Sequence, residues 1–389
     1  MKASDLLEFF STNSLSWEQL EYGGTGLLNL HYGLIHNGLP TQIDINDSSL
    51  PTVKAEFEPR KFTLCEKGDI AFADASEDTN DVGKVVEFAD CAGKDVVCGL
   101  HTIHGRDKLY KTVPGFKGYA FSSKQFHDQI KRIAQGTKVF SISAGSFDEV
   151  SVSLPGKDEQ VKIAALLSLI DQRISIQSRV IEKYESLIKA LIDRQIEALL
   201  SGTMLPFEQL YIKAGEGGTP STAINEYYRN GSIPFIKIDD LSSMYLVDNK
   251  DFITEKGIQK SSAWLIPEGS VIYSNGATIG AVSINKYPVA TKQGILGIVP
   301  KKNVFNEYLY FLMRSTYFSK EILRIVTEGT MKTAYLKDIN RIQCPLPPIE
   351  TQHRIVSGLL ALAENIDLEK QILGRYESIK QTLLKNMFI

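Results

Sequence analysis

The segment "LPPIETQHRI" (346–355) has a near copy, "LPGKDEQVKI", at 154–163, and its positions 160 and 352 stand 192 residues apart in a chain of 389. An internal repeat at half-chain spacing fixes the architecture before any single element is assigned. Outward from this pair, "FEQL" (207–210) matches "WEQL" (17–20), and "LIPEGSVIYSNGATIGAV" (265–282) matches "LCEKGDIAFADASEDTNDVGKVV" (64–86), which carries an acidic insertion. "KQGILGI" (292–298) lies against "VCGLHTI" (97–103), and "EILRIVTEGT" (321–330) against "QIKRIAQGT" (129–137). Each match is weak alone, but all fall in one order along the chain.

Each half therefore comprises a globular part (17–153 and 207–344), a proline turn and a long helix. The start fits the same scheme. "LLEFFSTNSLSW" (6–17) resembles "IEALLSGTMLPF" (196–207), so residues 3–12 are expected to be a helical stub packed near the end of the C-terminal helix. The alternative is an unattached amphipathic N-terminal helix.

From Asp158 to about Leu200 apolar residues recur in alternating steps of four and three, uninterrupted by proline or glycine. The seam runs Ile163, Leu167, Ile170, Ile174, Ile181, Tyr184, and the second helix repeats it as Ile355, Leu359, Leu362, Ile366, Leu373, Tyr376. Such a pattern, with charges on the outer faces, predicts coiled-coil helices packed on each other, antiparallel by the two-fold relation. At ~1.5 Å per residue each is a rod of roughly 60 Å. The alternative is a long surface helix on each domain. Proline sets an extended entry to each helix, and Asp158 and Glu350 put an acid in the first turn, where the helix dipole favours it.

The globular parts read as short β-rich runs such as "SIPFIKIDDL" and "GILGIVPK", broken by Gly, Pro, Asn and Asp and followed by helix. The predicted fold is α+β (mixed α/β), two similar domains in pseudo-two-fold tandem, separated by the two antiparallel helices. The boundaries are 1–155, 156–203 for the first helix, 204–348, and 349–389 for the second.

The net charge of −3 argues against a generic polyanion binder, but the charge is uneven. Residues 101–138 hold eight Lys/Arg against two Asp, interleaved with Tyr110, Phe116, Tyr119 and Phe121, while "DASEDTND" is acidic. Basic residues mixed with aromatics suit a base-reading surface; the plainer reading is a solvated face.

No phosphate-loop, zincin or nucleophile-elbow motif occurs, and no catalytic constellation is visible. Cys65, Cys91, Cys98 and Cys344 show no CxxC spacing, which points to reduced, mostly buried thiols rather than a zinc site or disulfides. The "HTIH" histidines (His101, His104) could hold a metal, or sit in a loop with one facing a phosphate. "YGGTG" (22–26) and "GEGGTP" (215–220) read as tight turns rather than phosphate cradles. No run of about 18 apolar residues and no signal peptide is present, so a cytoplasmic protein without membrane attachment is expected.

With these motifs in hand, the chain resembles the specificity subunit of Type I restriction-modification systems. The resemblance rests on "PLPPIETQHRI" with its helix, "GGTPS" (217–221), "IPFIKIDDL" (233–241), "ATKQGILGI" (290–298) and "EGTMKTAYLKDINRIQCPLPP" (328–348), and in the first half on "LNLHYGLIHNGLPTQIDI" (28–45). "SLPGKDEQVKI" departs from the family's double proline, with Gly156 in second place.

The resemblance implies two target-recognition domains, each reading half of an interrupted site in double-stranded DNA. It also implies two methyltransferase subunits, which would use S-adenosylmethionine, and restriction (translocase) subunits joining for cleavage. No cofactor or metal is expected on this chain. DNA contacts are expected from His31, His36, Arg106, Lys108, Lys111, Lys117 and Tyr119 in the first domain. In the second they are expected from Lys237, Asp239, Asn275, Lys292, Gln293, Lys332 and Thr333. Arg173, Arg179 and Arg375, on the outer helix faces, are candidates for methyltransferase docking. The competing classes are a stand-alone methyltransferase or nuclease with divergent motifs, and a non-catalytic coiled-coil scaffold.

Overall fold

The computed structural model describes residues 1–46, 49–276, 278–326 and 332–388. The chain forms two compact units, Met1–Ser178 with Gln371–Ile389, and Arg179–Lys370.

The first unit is organised on a sheet of β1 (Leu7–Phe10), β2 (Gln42–Asp44), β3 (Ile70–Ala73), β4 (Val85–Asp90) and β5 (Thr102–Asp107). Their spatial order is β1-β5-β3-β4-β2, all neighbours antiparallel except β2 with β4. Strand β3, Ile-Ala-Phe-Ala, is buried on both faces. Period-two alternation sends Ile70 and Phe72 into a cluster with Phe116, Phe121, Phe126 and Phe147. The small Ala71 and Ala73 face Leu30, Val96 and Cys98 of a second, smaller sheet. Helix α1 (Lys124–Ile133) begins where Ser123 Oγ accepts from Phe126 N at 3.3 Å, and α2 (Lys157–Leu199) leaves this unit for the other.

The second unit repeats the plan. Strands β6 (Tyr211–Glu216), β7 (Tyr245–Leu246), β8 (Val271–Ser274), β9 (Val282–Asn285) and β10 (Ile295–Pro300) lie in the order β6-β10-β8-β9-β7. Only β7 with β9 is parallel, matching β2 with β4. Helix α3 (Thr316–Ile325) is capped by Ser315, the repeat partner of Ser123, accepting from Phe318 N at 3.1 Å. The last helix is α4 (Ile349–Asn386). The equivalent loop between β3 and β4 is longer in the first unit, where the acidic insertion sits. The expected pairing of 97–103 with 292–298 is shifted by two residues, since Gly105 pairs with Ile70 as Ile298 pairs with Val271. Of the matched segments, Ala277 and 327–331, including "EGT" (328–330), lie outside the described residues.

The expected stub at 3–12 is corrected: only Ala3–Leu6 form a helical turn, and Leu7–Phe10 is β1. A strand is required there because β5 needs the antiparallel partner that β6 gives to β10. Lys2 bridges Ser151 as Pro206 pairs with Gln343, so Lys2 corresponds to Pro206, and residues 6–17 are not a copy of a helix end. The expected proximity holds, since Ala3 and Leu6 share a hydrophobic cluster with Leu384 and Phe388 of the C-terminal segment.

Within each unit the long helices run antiparallel. In the first, Ile163 and Leu167 share that cluster with Leu384, and Asp171 meets Lys380 at 2.7 Å. In the second, Glu185 meets Lys370 at 2.7 Å, and Leu191 and Leu199 line one cleft with Ile355 and Leu359. Every seam residue is buried or half-buried: Ile163, Leu167, Ile170, Ile181, Ile355, Leu359 and Ile366 are buried, and Ile174, Tyr184, Leu362, Leu373 and Tyr376 half-buried. Among the described residues no helix is long and apolar enough to cross a membrane.

Candidate nucleic-acid interface

In the second unit five loop segments meet beyond the end of β8 and the start of β10. Asn275 N and Gly276 N both donate to Gly294 O, at 3.0 and 3.2 Å, and Lys292 N donates to Ile236 O at 3.0 Å. Gly218 N reaches Thr291 O at 3.0 Å, and Ala334 N reaches Asn275 O at 2.9 Å. These backbone bonds bring Lys237, Asp239, Lys292, Gln293, Lys332 and Thr333 to one end of the sheet, Thr333 half-buried and the others exposed. Lys237 Nζ is paired with Asp251 at 2.7 Å, which positions it. The glycines of "GEGGTP" serve close backbone packing: a Cβ on Gly217 would lie 2.1 Å from Thr291 O, and one on Gly218 2.3 Å from Ser262 Oγ. Asn275 is corrected. It is fully buried, and its amide donates to Ala334 O at 3.0 Å, so it ties the loops together and does not face solvent.

The matching end of the first unit is built by the same bonds. Asp74 N donates to His101 O, Gly99 N to Leu30 O and Ile142 N to Asp74 O. His101 thereby occupies the place of Gly294, and both are left-handed, at φ 54° and 84°. A histidine in that conformation is held against a steric penalty. Its Nδ1 lies 3.1 Å from Asp74 Oδ1, its ring packs edge-on to Tyr32, and its side chain is about half exposed. Burial pushes the Asp74 carboxyl up despite the neighbouring imidazole. Lys84 Nζ donates to the His36 carbonyl at 3.3 Å, and His36 Nε2 lies 2.9 Å from Ala75 O. This end thus offers His36, His101, Asp74, Tyr32 and Lys84 where the second unit offers lysines and glutamine. Asp74, Tyr32 and Lys84 are absent from the expected contacts, and His101 entered only as one of two histidines that could face a phosphate; the left-handed position, visible only by aligning the two sheets, marks them.

The other first-unit expectations divide. His31 is corrected: it is buried against Trp17 and accepts from Gly33 N at 3.1 Å, capping the turn Tyr32–His36; burial holds its imidazole below the usual histidine range. Arg106 grips Asp69 through two bonds of 2.8 and 2.7 Å, and lies at the opposite end of β5 from His101. Lys108 is exposed there and donates to Ser4 O at 2.8 Å. Lys111 is exposed and gives its carbonyl to Gln160. Lys117 and Tyr119 are corrected: both are buried, Lys117 donating to Thr112 Oγ1 at 3.0 Å and Tyr119 to Asp171 Oδ2 at 2.8 Å. Burial and that carboxylate push the Tyr119 hydroxyl up. The basic, aromatic stretch reads as a surface in sequence because its turns are short, yet its helical face closes onto α2.

On the helices Arg173, Arg179 and Arg375 are exposed. So are several apolar residues at repeat-equivalent positions, Ile176 with Leu368 and Leu187 with Ile379, 39% to 59% exposed across the set that includes Leu169 and Ile372. The matched pairs put an exposed aliphatic at the same helix position in each half of the chain.

The fold and these loops define a chain of two α+β units built on one sheet plan, with the long helices antiparallel within each. The family model described as Type I restriction modification DNA specificity domain matches residues 211–377, a stretch that begins with β6 and ends within α4. The Type I restriction enzyme MjaIX specificity subunit of Methanocaldococcus jannaschii is 34% identical over 176 residues, 44% of this chain and 40% of the relative. The EcoR124I/EcoR124II specificity subunit of Escherichia coli is 32% identical over 149 residues, 37% and 36% of the two. The match spans less than half the length of either relative. In fold, the Type I restriction-modification S subunit from M. genitalium superposes with TM-score 0.57 at 18% identity, covering 100% of this chain and 95% of that one. The resemblance to specificity subunits read from the sequence is borne out.

Proposed function

We propose that this chain is the non-catalytic DNA-recognition subunit of a Type I restriction-modification complex. The first unit's loops around His101 and the second unit's around Lys292 and Gln293 each read one half of an interrupted, asymmetric site in double-stranded DNA. The target-recognition domains are residues 1–155 and 204–348, and the helices at 156–203 and 349–389 set the spacing. Methyltransferase subunits, bringing S-adenosylmethionine, dock on the outer helix faces, and restriction subunits join for cleavage.

One observation carries this reading: the same sheet, with the same loop-fastening bonds, presents different side chains at the same end in each unit. A conserved frame with divergent tips is what reading two different half-sites requires. In the test, binding to mixed-sequence DNA is measured against salt with and without the partner methyltransferase, and methylated bases are mapped. Binding that sharpens to one bipartite site with the partner supports the proposal. Methyl transfer or cleavage by the chain alone overturns it.

A further inference from the structure

Cys65, Cys98 and His104 are far apart in sequence and form a buried cluster in the first unit, their ligand atoms all within 4.8 Å of one another. The two sulfurs are 3.6 Å apart. That is too long for a disulfide, and close to the edge of a tetrahedral zinc dithiolate, about 3.8 Å for Zn–S bonds of ~2.3 Å. His104 is fully buried; Nε2 is 2.8 Å from Asp69 Oδ2, and Nδ1 has no partner among the described residues. An imidazole with one nitrogen held by a carboxylate and the other without a hydrogen-bond partner, grouped with two thiols, has the donor chemistry of a carboxylate–histidine–metal site. Arg106 fixes Asp69 from behind.

The second unit shows that the sheet does not need these residues. By register, Ile266 and Gly297 stand where the first unit has Cys65 and His104. Ile266 fills that space, its Cδ1 2.4 Å from where a Cβ on Gly297 would be.

We propose that Cys65 Sγ, Cys98 Sγ and His104 Nδ1 bind one thiophilic divalent ion of the zinc class. On entry each thiol loses its proton to solvent, and two thiolates with a neutral imidazole leave the buried site uncharged. The ion clamps the strand Val96–Cys98 just before His101, at the tip of the candidate interface.

Cobalt(II), a spectroscopic stand-in for zinc, tests this on the full chain, reduced and stripped of metal. One equivalent per chain is expected, with the near-ultraviolet thiolate-to-cobalt band, displaced by zinc(II). Cys65→Ser and Cys98→Ser should each abolish the band, Asp69→Asn should weaken binding about 10–100-fold, and Cys344→Ser, in the other unit, should leave it unchanged. No band in the wild-type chain overturns the proposal whether or not the variants fold. A band retained by the Cys65→Ser/Cys98→Ser double variant overturns it equally.

Discussion

Gln160 and Gln352 make the same three hydrogen bonds, 192 residues apart. Gln160 Nε2 donates to Lys111 O and Pro155 O at 3.0 and 2.9 Å, and Oε1 accepts from Val113 N at 3.0 Å. Gln352 Nε2 donates to Asn303 O and Pro347 O, both at 2.9 Å, and Oε1 accepts from Phe305 N at 2.8 Å. Both side chains are buried, and all six partners correspond under the repeat. The proline turn therefore works as a bracket: one amide locks the first turn of a long helix to the loop of its own globular part.

Replacing either glutamine by methionine keeps the volume and strands buried polar groups, at about 1–3 kcal/mol each. Gln352→Met should lower the melting temperature by several degrees and raise amide exchange around Phe305, and Gln160→Met should do the same around Val113. Equal loss of protection in both regions from one substitution would contradict the bracket.

Lys292 and Gln293 differ in what they can do at DNA. Lys292→Ala should weaken binding to all sequences alike and reduce the salt slope by about one. Gln293→Ala should cost ~1–3 kcal/mol at one base pair and leave the slope unchanged. Methylation profiles over single-base variants of the site separate the two, and indifference of both would remove this loop from the interface.

Tyr119→Phe removes a buried hydrogen bond to a carboxylate, about 1.5–3 kcal/mol. Melting should fall, while DNA affinity of the folded protein stays unchanged because the ring does not reach solvent. A loss of affinity without loss of stability would return Tyr119 to the interface.

His31 caps its turn through a neutral ring, and its pKa lies below the unfolded value. A depressed pKa means stability present above about pH 6.5 and lost as pH falls below it, because the unfolded chain takes up a proton that the folded one refuses. His31→Asn keeps the acceptor and should flatten the melting curve between about pH 6.5 and pH 5 relative to the parent; an unaltered pH dependence would contradict the assignment.

The exposed aliphatics at repeat-equivalent helix positions predict a doubled docking surface. Ile176→Glu or Leu368→Glu should each remove one methyltransferase subunit from the complex, read by mass in solution, with melting unchanged. The full complement with both replaced would move docking elsewhere.

The helices, the seam and the repeated plan were legible because periodicity and internal repetition are read directly from residue order. The start was misread because a Leu-Phe-rich stretch supports either a helix end or an edge strand, and only pairing to β5 decides it. In the second unit the exposure of the candidate lysines was legible, since they fall on short loops flanking recognisable strands. Lys117, Tyr119 and Asn275 were not, because burial of a polar side chain depends on partners such as Glu87, Asp171 and Ala334. The Cys65–Cys98–His104 cluster escaped for the same reason, its members meeting through strand pairing and not through spacing.

Leu384 and Phe388 complete the core that begins at Ala3 and Leu6. During synthesis the second unit has all of its chain once Lys370 has been made, while the first, begun earlier, still lacks its final segment. The half of the molecule made first is thus the last that can finish folding. Until that segment has been made it exposes an apolar face, which makes it the half on which chaperones and proteases can act while the chain is being made.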